Sequence, residues 1–351
     1  MSDRLSYAST GVDIDQTDAA KREMAKSMET SDPRVLNRIG AFASLIDASF
    51  PGYDHPVLVH KSEEPGSKQK LAFAHGRHGS VCYDMVNHLI DDIIVMGAEP
   101  VSIQDVIVCG TMDGHIVNDL VAALADACRQ QDCTLTGGET SVQPGVVPDG
   151  LYVLTASVIG VVDRDKIIDG GQIQAGDQVI VLASNGLHTN GYTLVRALID
   201  RQPDLIDRDV AGESLLDAVL KPHTCYFQPL RGLYAHPGLR GMAHITGGGL
   251  QDNLKRILPP DRNARLDLAA LEMPAIFRLL KAVGNLDDED MMRTFNMGAG
   301  MALVVAPEAA DEIAAHLAAR DCRAYRMGAI VPGQQKVEFE GALAWSTCPT
   351  G

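Results

Sequence analysis

Apolar strands and amphipathic helices alternate through the first half of the chain. An apolar run after Pro56 predicts a strand, and the segment that begins at Ser80 has apolar residues at the helical period. Gly97 follows this helix in the position expected of a C-cap. The predicted strands cover residues 57–59, 101–108 and 152–162, a further strand ends at residues 136–139, and the predicted helices cover residues 80–96 and 116–129. This order predicts one α/β domain.

Turn residues around 169–177 interrupt the pattern, and a similar mixture of strands and helices follows. The predicted strands cover residues 178–183, 243–245, 301–306, 324–330 and 337–340, and the predicted helices cover residues 191–200, 250–257, 274–283 and 308–320. We therefore predict two α/β domains, residues 1–170 and 171–351. Residues 11–30, rich in Asp, Lys and Glu, predict a solvated arm or a surface helix.

The composition fits a two-domain enzyme without a membrane segment. The chain has 351 residues, 46% of them hydrophobic, which is enough to bury a full core. Its apolar runs end well before the roughly 20 residues that a membrane-spanning helix needs. The first residues lack the apolar core of a secretory signal. We expect a cytoplasmic protein.

The charge and the cysteines exclude two further classes. A formal net charge of −16 disfavours nucleic acid, since that binding depends on phosphate neutralisation by Lys and Arg. The seven cysteines show no metal-binding spacing and are odd in number, which favours reduced, mostly buried thiols. A small phosphorylated ligand stays possible, because backbone N–H groups bind anions whatever the net charge is.

Three glycine-rich segments follow predicted strands, at residues 136–140, 184–191 and 246–249. Glycine lets backbone N–H groups approach a phosphate closely, and a helix N-terminus adds a favourable partial charge. A single Gly-Gly pair more often marks a tight turn. Three such segments, two of them leading into predicted helices, favour anion binding.

Acidic residues also collect at the predicted strand ends and on the first helix. They are Glu63, Asp91, Asp92, Asp105 and Glu139, and such carboxylates suit Mg²⁺ together with substrate phosphates. Neighbours on a helix point about 100° apart, so Asp91 and Asp92 cannot both face one ion. One of the two is therefore expected to be structural or solvated.

Histidines and one further motif complete the candidate chemistry. His188 and His244 lie beside glycine segments, where an imidazole could reach a phosphate, transfer a proton or merely bond to the backbone. The motif from Arg293 to Gly298 combines a cation, a hydroxyl, an amide and a glycine. Loop support and anion pairing are both open for it.

Six motifs occur in the order seen in the AIR synthetase (phosphoribosylformylglycinamidine cyclo-ligase) family, and the match runs over about residues 7–330. They are Gly11-Val12-Asp13-Ile14-Asp15, Gly97-Ala98-Glu99-Pro100, Gly137-Gly138-Glu139-Thr140, His188-Thr189-Asn190-Gly191-Tyr192, His244-Ile245-Thr246-Gly247-Gly248-Gly249 and Arg293-Thr294-Phe295-Asn296-Met297-Gly298. The chain resembles that family. The resemblance implies a two-domain α/β (α+β) fold, shared with thiamine-monophosphate kinase and hydrogenase-maturation proteins, and a homodimer whose N-terminal sheets join.

The resemblance also implies a reaction. ATP phosphorylates the amide-type oxygen of formylglycinamidine ribonucleotide, an internal nitrogen attacks, and phosphate leaves. By match to the family, Asp92 and Glu139 belong to the nucleotide and metal site, and Lys68 lies near the phosphates. The motifs and the resemblance together predict catalytic residues Asp92, His188 and Lys68, ATP or substrate contacts at Glu63, Lys68, Gly137, Gly138, Glu139, Asn190, Gly247 and Gly248, and Mg²⁺ ligands Asp92, Glu139 and Glu63.

The nucleotide segment is among the parts of the chain that depart from the family pattern. Where the family has Thr-Asp-Gly-Val-Gly-Thr-Lys, this chain has Ser62-Glu63-Glu64-Pro65-Gly66-Ser67-Lys68, which adds a negative charge and removes a backbone donor. Three functions stay open. They are an AIR synthetase, a relative that performs ATP-dependent amide activation or ring closure on another phosphorylated substrate, and a catalytically silent paralogue.

Overall fold

The computed structural model describes residues 14–37 and 39–347, with side chains from residue 20 onward. Residues 11–13, which belong to the first of the six motifs, lie outside this range. The contacts divide the chain into two compact units. Unit 1 comprises the chain through Ile93 together with Glu99–Arg164, and unit 2 comprises Ile94–Ala98 and the chain from Asp165. Both units combine strands and helices, so the predicted α/β class is confirmed.

Unit 1 is built on a four-stranded sheet of order β1-β4-β2-β3, in which only β2 and β3 are parallel. Along β4, Leu154, Ala156 and Val158 are buried, while Thr155 and Ser157 are more exposed. One face of the sheet is therefore covered and the other is open. The strands are β1 (Pro56–Glu63), β2 (Glu99–Cys109), β3 (Thr134–Val142) and β4 (Tyr152–Asp163), and the helices are α1 (Ile14–Ser27), α2 (Lys68–Ala74), α3 (Gly79–Ile94) and α4 (Gly114–Gln130).

Unit 2 contains a six-stranded sheet of order β12-β9-β11-β5-β10-β8, antiparallel except for β12 beside β9, and a two-stranded hairpin, β6 and β7. The strands are β5 (Gln178–Ala183), β6 (Asp209–Val210), β7 (Glu213–Ser214), β8 (Leu239–His244), β9 (Arg262–Asp267), β10 (Ala299–Val305), β11 (Ala324–Pro332) and β12 (Val337–Glu340). The helices are α5 (Tyr192–Arg201), α6 (Leu215–Val219), α7 (Phe227–Leu230), α8 (Gly249–Leu254), α9 (Ala275–Gly284), α10 (Asp288–Thr294) and α11 (Ala310–Ala318). Every residue of β10 is buried, which explains its continuous apolar run.

Of the two alternatives for residues 11–30, the structure shows a helix from residue 14. Ala20, Met24 and Met28 are buried, and α1 packs against α4. The apolar stripe on this otherwise charged segment therefore determines its structure.

Seven elements were not predicted, namely α2, α6, α7, α10, β6, β7 and β9. Helix α2 is short, β9 has few apolar residues, and α10 begins at an N-cap, Asp287, whose carboxylate accepts a hydrogen bond from Asp290 N at 2.8 Å. At the predicted C-cap, Gly97 has φ +79°, and its N–H donates to Ile94 O. No helix in the described part of the chain is long and apolar enough to cross a membrane.

Candidate functional site

Two carboxylates, a lysine and a histidine form a cluster on the covered face of the unit 1 sheet. Strand β1 places Lys61 and Glu63 on the same face, and α3 presents His88 and Asp92 one turn apart. Lys61 Nζ lies 3.0 Å from both Glu63 Oε2 and Asp92 Oδ2. His88 Nε2 lies 3.8 Å from Glu63 Oε2 and 3.6 Å from Asp92 Oδ2.

This acidic cluster suits a cation, and Lys61 already supplies one. Burial alone lowers the pKa of Lys61, but Asp92 and Glu63 more than offset that effect, so the pKa lies above its usual value. Glu63 and Asp92 both contact this ammonium, and carboxylate oxygens are the ligands that Mg²⁺ prefers, at about 2.1 Å. Glu63 and Asp92 therefore fit Mg²⁺ only if the ammonium of Lys61 withdraws.

The third predicted metal ligand lies elsewhere in unit 1. The sheet register aligns Glu63, Ala156, Asp105 and Gly138 in one row, which spans about 14 Å over three strand spacings. Glu139 is one residue beyond this row, so its side chain points to the opposite, open face. The structure thus brings Glu63 and Asp92 together and keeps Glu139 away from them within one chain.

Asp91 and Asp92 point in different directions, as the helical geometry predicts. Asp91 is fully buried, whereas the side chain of Asp92 retains 18% exposure beside Lys61. In the altered segment, Glu64 is exposed. Of these three carboxylates, Asp92 is the one that lies in the acidic cluster.

Lys68 occupies a buried ion pair. Its Nζ lies 2.8 Å from Asp84 Oδ1, both side chains have no exposed surface, and burial lowers the pKa of the lysine. A phosphate contact by Lys68 would require this pair to open. That contact stays a prediction.

The glycine segment at 136–140 lies inside strand β3. The prediction of a phosphate-binding loop at this segment is therefore wrong. A Cβ at Gly138 would lie 2.2 Å from Asp105 Oδ1, and a Cβ at Gly137 would lie 3.0 Å from Ser44 Oγ. These glycines make room for neighbouring side chains of unit 1. Burial raises the pKa of Asp105 to about 7.

In unit 2, the loop between β5 and α5 is held by Asn296. The amide Nδ2 of Asn296 donates to Gly186 O at 2.9 Å, and its Oδ1 accepts from Gly298 N at 2.9 Å and from Ser184 Oγ at 3.2 Å. Arg293 is exposed and pairs with Glu289 at 3.6 Å. Of the two roles left open for this motif, the structure shows loop support, through Asn296.

The second glycine loop of unit 2, residues 246–249, is held by Asn253, whose Nδ2 donates to Gly247 O at 3.2 Å and to Gly249 O at 2.8 Å. A Cβ at Gly247 would lie 3.2 Å from Asn190 Oδ1, so the two loops meet there. Asn190 Nδ2 is buried and has no hydrogen-bond partner among the described residues. The structure therefore brings together Asn190, Gly247 and Gly248, three of the predicted contacts.

His188 and His244 meet in unit 2 and are joined by a residue that the sequence analysis missed, His223. The rings of His188 and His223 stack with centroids 3.9 Å apart, and Nε2 of His223 lies 3.0 Å from Nε2 of His244. His223 lies between α6 and α7, away from any glycine segment. The sequence therefore has no local signal for it, and the same holds for Lys61. His88 could have been found from its i, i+4 spacing to Asp92.

Comparison with known proteins identifies the fold and the family. The family model described as AIR synthase related protein, N-terminal domain, matches residues 58–162, and the C-terminal domain model matches residues 174–340. A Chromobacterium violaceum protein named phosphoribosylformylglycinamidine cyclo-ligase is 42% identical over 328 residues, 93% of this chain and 95% of that protein.

Two solved structures share the fold at low identity. The crystal structure of E. coli HypE has a TM-score of 0.67 at 16% identity, covering 93% of this chain and 94% of that one. Thiamine-monophosphate kinase from Stenotrophomonas maltophilia K279a has a TM-score of 0.64 at 18% identity, covering 93% and 96%. With both family models matched in order, the chain belongs to the AIR synthase related protein family.

Proposed function

We propose that the chain is an ATP-dependent cyclo-ligase that converts formylglycinamidine ribonucleotide to aminoimidazole ribonucleotide, with release of ADP and phosphate, in purine biosynthesis. The observation that carries the proposal is the 42% identity to a protein of that name over 93% of the chain. We also propose a cytoplasmic location and a functional boundary near residue 170.

The glycine loops of unit 2 support a site for a phosphorylated ligand. Asn253 donates a hydrogen bond to Gly247 O, and Asn296 donates one to Gly186 O. These hydrogen bonds hold the two loops in place. The buried Asn190 Nδ2 offers N–H donors where the two loops meet. A phosphate or carbonyl oxygen of the substrate would satisfy these donors.

The acidic cluster of unit 1 supports the nucleotide end of the reaction. Glu63 and Asp92 would hold Mg²⁺, which screens the charge of the ATP phosphates when bound. Glu139, on the open face, would serve a site that a second copy of the chain completes. The predicted catalytic roles of Asp92, His188 and Lys68 follow the family motif and stay proposals.

The proposed reaction depends more on positioning of the substrate than on acid–base catalysis by the protein. An amide-type oxygen is a poor leaving group, and its phosphorylated form is a good one. The attacking nitrogen belongs to the same molecule, which removes most of the entropy cost of bringing the reacting atoms together. The loops of unit 2 would fix the substrate so that nitrogen and carbon stay in attacking distance.

We propose a homodimer formed through the open face of the unit 1 sheet. Apolar side chains are exposed on this unit, with Phe42 at 114%, Leu45 at 56% and Leu58 at 51%. A cavity of about 490 Å³, lined by residues of segment 44–50 and by Leu58, His60 and Gln104, lies over the same face. A second copy would cover this apolar surface.

Complementation of a purine auxotroph, together with ADP release by the purified protein on formylglycinamidine ribonucleotide, tests the function. We expect growth and stoichiometric ADP release. Folded protein that fails both but gains melting temperature with ATP would indicate another substrate. A protein that neither turns over nor responds to ATP would be a silent paralogue.

Asp92 is the sharpest single-residue test of the unit 1 site. We expect Asp92→Asn to lower turnover more than about tenfold, a loss of about 1.4 kcal/mol of transition-state stabilisation, with an unchanged fold. Asp119→Asn, an exposed carboxyl on the same unit, is the matched control. Full activity of Asp92→Asn would remove this residue from the site.

A further inference from the structure

Three histidines of unit 2 converge in a buried cluster. His188, His223 and His244 are exposed by only 2%, 1% and 6%. Each offers a ring nitrogen, and these three atoms all lie within 4.8 Å of one another. The three residues come from the loop after β5, the segment between α6 and α7, and the end of β8. The fold thus gathers three imidazoles from three separate segments of unit 2.

We propose that this histidine cluster binds one divalent transition metal ion of the Zn²⁺ and Co²⁺ class. Neutral imidazole nitrogens suit such ions, whereas Mg²⁺ prefers carboxylate oxygens and water. Three histidines with a remaining open position form a recurrent ligand set for these metals. All three ligands belong to unit 2, and the proposal does not depend on the proposed cyclo-ligase activity.

The nitrogen–nitrogen distances are close to those of metal ligands, and ring rotation is needed to direct the nitrogens at one ion. Two metal–nitrogen bonds of about 2.0–2.1 Å at a tetrahedral angle separate the nitrogens by about 3.3 Å. The His223 to His244 separation is 3.0 Å, and the longest separation in the cluster is at most 4.8 Å. Because the His188 and His223 rings are stacked 3.9 Å apart, one of them must turn about its χ2 angle before both nitrogens face the same ion.

The backbone holds the cluster in place. His188 adopts φ +60°, a left-handed conformation that a non-glycine residue rarely adopts. Its carbonyl accepts a hydrogen bond from Tyr192 OH at 3.2 Å. His244 is fixed by the pairing of β8 with β10, opposite Met301. Such preorganisation lowers the cost of bringing the ligands together.

Protons must move when the metal binds. In the His223 to His244 contact, one Nε2 is protonated and donates to the other. Metal ligation through both Nε2 atoms transfers that proton to Nδ1 of the same ring, with no net change of charge. Acid protonates the rings and competes with the metal, so affinity falls as the pH is lowered.

The test uses full-length protein without an affinity tag, stripped with a chelator and titrated with Zn²⁺ by calorimetry and with Co²⁺ by visible absorption. We expect one equivalent of Zn²⁺ per chain and a Co²⁺ spectrum of tetrahedral intensity. His223→Asn should weaken Zn²⁺ binding at least about 100-fold, since it removes a ligand. His115→Asn, an exposed histidine of unit 1, should bind like the wild type.

Two outcomes would overturn the proposal. One is the absence of stoichiometric Zn²⁺ binding to the folded wild-type protein. The other is a His223→Asn variant that keeps both the affinity and the Co²⁺ spectrum. His188→Asn provides an independent ligand deletion if the first variant does not fold, and circular dichroism checks each fold. Substrate is absent from all of these titrations, so failure of the proposed cyclo-ligase function does not affect their outcome.

Discussion

Lys61 brings a positive charge to the point where Glu63 and Asp92 meet. An ammonium in this position neutralises part of the carboxylate charge without any metal ion. It also competes with Mg²⁺, because a divalent ion 4 Å from an ammonium costs about 2 kcal/mol even at the dielectric constant of water. Lys61 therefore tunes the affinity of this acidic cluster for metals.

Lys61→Met should accordingly tighten Mg²⁺ binding about tenfold or more. Calorimetric titration of the free protein measures the effect. Lys70→Met removes an exposed lysine of the same unit and should leave Mg²⁺ affinity unchanged. Equal affinity in wild type and Lys61→Met would show that Glu63 and Asp92 do not bind the metal.

Asp105 connects the pH of the solution to the stability of unit 1. Its pKa is raised from 3.8 to about 7 in the folded chain by burial. The native state therefore holds a proton that the unfolded state releases, and stability falls as the pH rises between about 4 and 7. Unlike a salt-bridged carboxylate, Asp105 thus opposes folding at neutral pH.

Asp105→Asn should remove this pH dependence. Between pH 5.5 and pH 8, we expect the wild type to lose about 2 kcal/mol more unfolding free energy than the variant, at about 1.4 kcal/mol per pH unit below the folded pKa. Urea unfolding at both pH values gives the difference. Asp119→Asn should retain the wild-type slope, and an identical slope in Asp105→Asn would contradict the assignment.

At the scale of elements, the start of α5 depends on Gly191. This N-cap has φ +82°, and a Cβ would lie 2.1 Å from Cε1 of the buried Phe295. Gly212 has φ +95° with no atom within 4 Å of a Cβ. An alanine at Gly212 would therefore introduce backbone strain alone, whereas an alanine at Gly191 would add steric overlap with Phe295.

Gly212→Ala should cost about 1 kcal/mol, the strain of a left-handed alanine. Gly191→Ala should cost about 3 kcal/mol or more, because overpacking against Phe295 adds to the same strain. Chemical denaturation of both variants gives the comparison. Equal losses would mean that Phe295 moves aside without cost.

Elements were predictable where one local signal dominates. Strand β5, Gln178–Ala183, was predicted to the residue because an apolar run is bounded by a Gly-Asp turn. Strand β9 was not predicted, because Ala264 and Leu266 are its only buried apolar residues and two residues are too few to show a strand pattern. The sites depend on more than local sequence. His223, Lys61 and the separation of Glu139 from Glu63 follow from strand order and loop packing, which one sequence does not encode locally.

At the scale of the whole molecule, the open face of the unit 1 sheet predicts self-association. Leu58→Arg places a charge on this face and should convert a dimer to a monomer in light scattering. Val146→Arg changes another exposed apolar residue, 74% accessible and in a turn, and should leave the dimer intact. A monomeric wild type, or a dimer that tolerates Leu58→Arg, would contradict the proposed interface.

The central strands of unit 2 also have a consequence for synthesis. β5 pairs with β10 and β11, yet 115 residues separate Ala183 from Ala299. At about 5–20 residues per second, the ribosome needs roughly 6–23 seconds to make that stretch. During this interval an almost wholly apolar strand has neither of its hydrogen-bonding neighbours. Newly made chains can then pair through this strand with one another. Lower growth temperatures or a holdase chaperone should therefore raise the yield of folded protein.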